Sequence, residues 1–155
     1  MGQCFRWGAL VVLVVGCSSK PPYQGRSVAQ LERMLANPDP QTQVQGAYGL
    51  GLLGSEAAPA VPALVQALKA TDPLVRQQAA TALGEIGPGA ASAAPDLATA
   101  LSDPEWAVRR QAAVSLGCIG PPARPVAEPG LTRCLNDSHT LVRKAAKDAL
   151  TKIRD

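Results

Sequence analysis

The chain has 155 residues, 46% of them hydrophobic but only 3% aromatic, with a net charge of +3, 14 glycines and 14 prolines. Apolar content made of Ala, Leu and Val suits close helix packing and argues against a β-sandwich, which draws on aromatic and β-branched strands. A charge this small does not by itself imply a nucleic-acid partner, and one histidine with four cysteines leaves little material for a metal site.

Residues 1–16 come first. Arg6 supplies a positive start, and Trp7 to Val15 is a short apolar run, well below the roughly 20 residues of a membrane-spanning helix. The pattern is that of a secretory signal peptide, which takes no part in the fold. Val14-Val15-Gly16-Cys17 resembles the lipobox of bacterial lipoproteins, which prefers Leu where Val14 stands. That resemblance implies cleavage before Cys17, lipidation of its thiol and a place on the outer side of a bacterial membrane. An ordinary signal peptide that happens to contain a cysteine is the plainer alternative. Met1-Gly2-Gln3-Cys4 also looks like a myristoylation start, but Arg6 stands where that motif wants Ser or Thr. Residues 17–27 read as a polar tether, and 28–155 as one repeat domain.

From residue 28 the sequence repeats itself every 33 to 34 positions. Leu31, Leu64, Leu97 and Leu131 fall in one column, and Leu35, Leu68, Leu101 and Leu135 in the next. Each unit predicts two helices. Pro62, Pro95 and Pro129 share a position just before the first, where a missing N–H does no harm. In the second helix, Val75, Ala79, Ala82, Leu83 and Ile86 make one apolar stripe of helical period. The run from Val75 to Gly87 matches Val108 to Gly120 and Val142 to Ile153, while the first unit is more diverged, with Thr42 and Gln43 in place of Val-Arg. Gly54, Gly87 and Gly120 stop the second helices. Where Ala47, Ala80 and Ala113 align, the last unit carries Lys147, which reads as a terminal cap.

These runs resemble the HEAT-like repeats in the short form found in bilin-lyase-related proteins, with the signature A-P-A-L…A-L-x-D-x-x-x-x-V-R-x-x-A-A-x-A-L-G-x-I-G. The resemblance spans about residues 28–153. It implies an all-α fold, a right-handed α-solenoid of four helical hairpins, acting as a protein-interaction scaffold without enzymatic activity or cofactor. A bilin-lyase-like enzyme or accessory factor is the alternative it carries, opposed by the export signal.

Several residues are candidates for more than packing. Arg76, Arg109 and Arg143 form a column one residue into the second helices, and Asp103, Asp137 and Asn37 sit in the preceding turns. In HEAT-like proteins such residues resemble a ladder tying adjacent hairpins; a basic row that binds anions is the other reading. Residues 101–155 hold nine basic and six acidic side chains, against five and six in 17–100. Arg109, Arg110, Arg143, Lys144 and Lys147 lie early in the last two second helices, which line the concave face in this family. They form either a partner-binding patch or a solvated surface. Trp106 stands where Pro40 and Pro73 occur in earlier repeats, as an exposed anchor for a partner or a side chain packed over a turn. His139 reads as a solvated turn residue, since neighbouring Asp137 and Ser138 in one turn cannot form a nucleophilic relay. Cys118 and Cys134 could pair, although Cys134 aligns with Ala67 and Ala100, which favours a small buried side chain. The expected partners are therefore a protein on the concave face and a membrane through the lipid, with no nucleic acid and no metal.

Overall fold

A computed structural model describes residues 21–155. The expected signal peptide, Cys17 and the first part of the expected tether lie outside the described residues. The described chain is helical, with no strand. Its hairpins are α1 (Val28–Leu35) with α2 (Pro40–Leu53), α3 (Val61–Ala67) with α4 (Pro73–Ile86), α5 (Ala94–Ala100) with α6 (Trp106–Ile119), and α7 (Arg124–Cys134) with α8 (Thr140–Lys152). Short 3-10 turns at Gly54–Ala60, Gly87–Ala93 and Pro121–Ala123 join one hairpin to the next. Consecutive second helices pack on one another, α2 on α4, α4 on α6 and α6 on α8, so the hairpins stack into an α-solenoid.

The leucine columns are the core. Leu31, Leu64, Leu97 and Leu131 are at most 1% exposed, and Leu50, Leu83, Leu116, Val75, Val108 and Val142 are fully buried. Each such side chain contributes about 1.5–3 kcal/mol when taken from water. Leu135 departs from its column: Leu35, Leu68 and Leu101 are buried, whereas Leu135 is 38% exposed.

One face of each second helix carries a fixed triplet at i, i+4 and i+8, pointing at the next repeat: Gln43-Ala47-Gly51, Arg76-Ala80-Gly84, Arg109-Ala113-Gly117 and Arg143-Lys147-Thr151. The glycine sets the approach. A Cβ at Gly51 would lie 3.4 Å from the Ala82 Cα, at Gly117 3.0 Å from the Ala149 Cα, and at Gly84 2.7 Å from the Ser115 hydroxyl. Ser115 is fully buried and donates its hydroxyl proton to the Ala80 carbonyl at 2.6 Å, so the one buried polar side chain of the described core is satisfied. Lys147 is exposed, whereas the aligned Ala47, Ala80 and Ala113 are fully buried.

One sequence expectation is corrected. Pro62 and Pro95 are the second residues of α3 and α5, not residues preceding them, and Pro129 lies well inside α7. The fourth unit has only a three-residue 3-10 turn, so α7 begins early and takes Pro125 as its N-terminal proline. Pro129 then denies the Pro125 carbonyl its intrahelical N–H. The glycine stops hold: Gly54, Gly87 and Gly120 are the C-cap residues of α2, α4 and α6. Gly54, Gly87 and Gly120 have φ of 56°, 69° and 79° with ψ of −130°, −138° and −151°. That region is open essentially to glycine alone, and it turns the chain sharply into the next 3-10 segment.

The tether does not end where the repeats begin. Tyr23 is half-buried, and its ring meets the Tyr48 ring edge-on with centroids 4.9 Å apart. Its Cβ lies so close to Gly49 that a side chain there would collide with it. Arg26 donates to the Pro22 carbonyl and closes the turn. Residues 21–26 thus cover the first hairpin on the side where later hairpins receive a preceding repeat. Ser27 and Gln30 then start α1 with a reciprocal capping box.

Candidate protein-interaction face

The start of each second helix decides what the solenoid presents along that edge. Asp39 and Asp72 cap α2 and α4 through their carboxylates, with Pro40 and Pro73 at the first helical position. In α6 and α8 the cap residues are Glu105 and His139, and neither makes a side-chain cap bond. Asp103 and Asp137, two residues earlier, accept the Glu105 and His139 N–H groups at 2.9 Å and 2.8 Å. Asn37 does the same for Asp39 in the first hairpin, at 2.9 Å.

Asp103 and Asp137 also join the hairpins. Arg76 donates from Nε and Nη2 to the two oxygens of Asp103 at 2.8 Å and 2.9 Å, and Arg109 does so to Asp137 at 2.7 Å and 3.0 Å. Both pairs are well shielded, with side-chain exposures of 14% and 10%, and of 15% and 10%. The remaining guanidinium nitrogen, Nη1, is held by two carbonyls of its own turn: Ala70 and Thr71 for Arg76, Asp103 and Pro104 for Arg109. Burial pushes the Asp103 carboxyl upward, but the Arg76 guanidinium and the Glu105 N–H outweigh it and hold it below its ordinary value. The Arg109 fork holds Asp137 below its ordinary value against burial. Between the first and second hairpins this link is missing on both sides, since Gln43 stands in the Arg column and Ala70 in the Asp column.

Arg109 therefore belongs with Arg76, Asp103 and Asp137 in the ladder, where four of its five N–H donors are engaged. Arg110 and Lys144 are different. They are exposed, occupy equivalent positions on α6 and α8, and make no ion pair among the described residues.

Trp106 and His139 form a stack with ring centroids 3.9 Å apart and planes 7° from parallel. Trp106 remains 38% exposed. The reading of His139 as a solvated turn residue is corrected: its ring lies under the indole, and its buried Nδ1 has no hydrogen-bond partner among the described residues. The reason is the repeat spacing. Position one of α6 abuts the cap position of α8, and in these two hairpins the usual Pro and Asp are replaced together. The signal was legible as two departures from the repeat consensus, but not their contact.

Leu74 at 64% and Leu141 at 46% exposure stand near the starts of α4 and α8, on either side of Trp106. Pro40, Gln41, Val44, Asp72 and Leu74 line an open depression of about 290 Å³ between α2 and α4. An apolar ridge thus crosses the starts of the second helices, with Arg110 and Lys144 beside its C-terminal half.

Cys134 is buried and in no disulfide; its thiol donates weakly to the Leu101 carbonyl at 3.7 Å. Burial, then nearby Asp137, pushes that thiol up. Among the described residues no group of three His, Cys, Asp or Glu side chains is placed to hold a metal ion, and no helix is long and apolar enough to cross a membrane.

Paired helices stacked at a constant spacing, joined by an Arg–Asp ladder, define an α-solenoid of helical-hairpin repeats. The HEAT repeat model matches residues 27–117 and 94–155, and the chain belongs to that family. The fold is shared with the crystal structure of an engineered protein solved by the Northeast Structural Genomics Consortium, 28% identical, with a TM-score of 0.70 over 82% of this chain and 62% of that one. The chain thus spans less than two thirds of that protein's length. A search of curated proteins gave no match. Membership in the HEAT repeat family supports the reading of a repeat scaffold for protein interaction.

Proposed function

We propose that this protein is a lipid-anchored scaffold of the bacterial cell envelope that binds a protein partner through the concave side formed by its second helices. The observation that carries the binding reading is the Trp106–His139 stack on an apolar ridge beside two cations, Arg110 and Lys144, that make no ion pair among the described residues. An aromatic side chain presented rigidly at low entropic cost, next to charges, has the make-up of an interface anchor. Helices α6 and α8 also forgo a side-chain cap to place it there; such a cap is worth about 1 kcal/mol. The complementary partner is apolar with acidic flanks. The address rests on the lipobox-like Val14-Val15-Gly16-Cys17.

Two expected results test the two halves. The wild-type protein loses residues 1–16, gains acyl mass and sediments with membranes, whereas Cys17→Ala stays uncleaved; an intact, soluble wild type defeats the address. A photo-crosslinking residue at Leu141 captures one discrete protein in cells, a crosslinker at exposed Leu52 does not, and Trp106→Ala reduces the Leu141 adduct about tenfold, the loss of an anchor worth at least ~1.4 kcal/mol. Equal adducts at positions 141 and 52, or an adduct indifferent to Trp106, would count against the ridge.

A further inference from the structure

Arg143 repeats the ladder geometry on its own side. Its Nη1 donates to the Asp137 and Ser138 carbonyls at 2.7 Å and 3.0 Å, as Arg76 and Arg109 do in their turns. Those two bonds hold the guanidinium by Nη1 as in the other two repeats, where the Nε–Nη2 edge grips an aspartate of the next hairpin. On Arg143 the edge meets no carboxylate among the described residues. Nη2 donates to the Thr140 hydroxyl at 2.8 Å, and no ion pair forms with Asp148 or Asp155.

The same face of α8 is unlike the faces that receive a repeat. Lys147 and Thr151 replace the alanine and glycine that let helices approach in the earlier triplets. Both are exposed. A second copy of this chain is a poor match as well. The residue of its first hairpin equivalent to Asp103 and Asp137 is the neutral Asn37, and Tyr23 covers Gly49 on the side that would have to dock. The face is cationic, with one guanidinium already held through Nη1 by its own turn.

We propose that the Arg143–Lys147–Thr151 face of α8 binds an acidic turn of a partner protein, with Arg143 gripping an Asp or Glu carboxylate as Arg109 grips Asp137. This contact is separate from the Trp106 ridge and stands or falls without it. The probe is a blocked synthetic peptide copying residues 99–108, which holds the Asp103 turn, carries two acidic and no basic side chains, and is titrated into the full-length protein. The Arg143 Nε–H resonance is expected to shift saturably. Asn in place of Asp103 in the peptide, or Arg143→Gln in the protein, should each weaken binding about tenfold. Arg143→Lys, which keeps the charge and loses the fork, should weaken it nearly as much. Trp106→Ala should leave it unchanged. An unmoved Arg143 resonance, or equal affinity for the Arg143→Lys protein, overturns the proposal; the latter outcome would mean that Lys147 and its neighbours attract the peptide by charge alone.

Discussion

Alanine in place of Leu116 lowers the free energy of unfolding by about 2–5 kcal/mol, the range for truncating a fully enclosed leucine. Leu116 is 0% exposed in the middle of α6, which packs on α4 on one side and α8 on the other. Its neighbours cannot close over the gap. The second helices approach most closely at Gly84 against Ser115 and Gly117 against Ala149, where even an added Cβ would lie at or inside the van der Waals limit. In a solenoid each repeat touches only its neighbours, so the loss falls on two interfaces at once. Urea unfolding followed by circular dichroism is the measurement. A lower midpoint, or a transition split into two, is expected for Leu116→Ala, while Leu52→Ala, at 60% exposure, stays within about 0.5 kcal/mol of wild type. A Leu116 variant as stable as the Leu52 control would mean that the repeats pack far more loosely than the glycine contacts require.

Asp137→Ala is expected to cost about 2–4 kcal/mol, because it strands a shielded guanidinium rather than merely removing an ion pair. Three groups lose their acceptor: Arg109 Nε, Arg109 Nη2 and the His139 N–H. The first two tie α6 to the fourth hairpin, and the third starts α8 beneath the Trp106 stack. A double-mutant cycle with Arg109→Ala separates the pair's coupling from the cap. The same carboxylates set an acid limit. Asp103 and Asp137 titrate lower in the fold than the unfolded value of about 3.9. Their contribution is therefore complete above that value and is lost as pH falls from about 4 toward the depressed folded values. Stability measured from pH 6 down to 3 should fall at the acid end, and Asp137→Asn should flatten the slope. An acid limb equally steep in Asp137→Asn would move the effect to other carboxylates, Glu128 among them, which Arg154 and Arg124 also hold low.

The repeat architecture was legible in the amino-acid order because it is written several times over. Buried leucines at one spacing, glycines at the ends of the second helices and an Arg and Asp in fixed columns each recur. A period of 33 to 34 residues leaves few ways to bury every copy's apolar stripe except by stacking. Even the missing link between the first two hairpins could be read, from Gln43 and Ala70. What only the tertiary structure decided lies where neighbouring repeats depart from the pattern together. Trp106 and His139 are 33 residues apart, and each alone looks like an exposed oddity; the offset of α8 against α6 turns them into a stack. Arg109 and Arg110 are adjacent and identical in chemistry, yet the 100° turn between successive helical residues sends one into the ladder and the other to solvent. Pro129, in register with Pro62 and Pro95, ends up inside a helix because the fourth linker is short. Columns in a sequence fix which residues are equivalent; which of them touch depends on how far one hairpin slides and turns on the next.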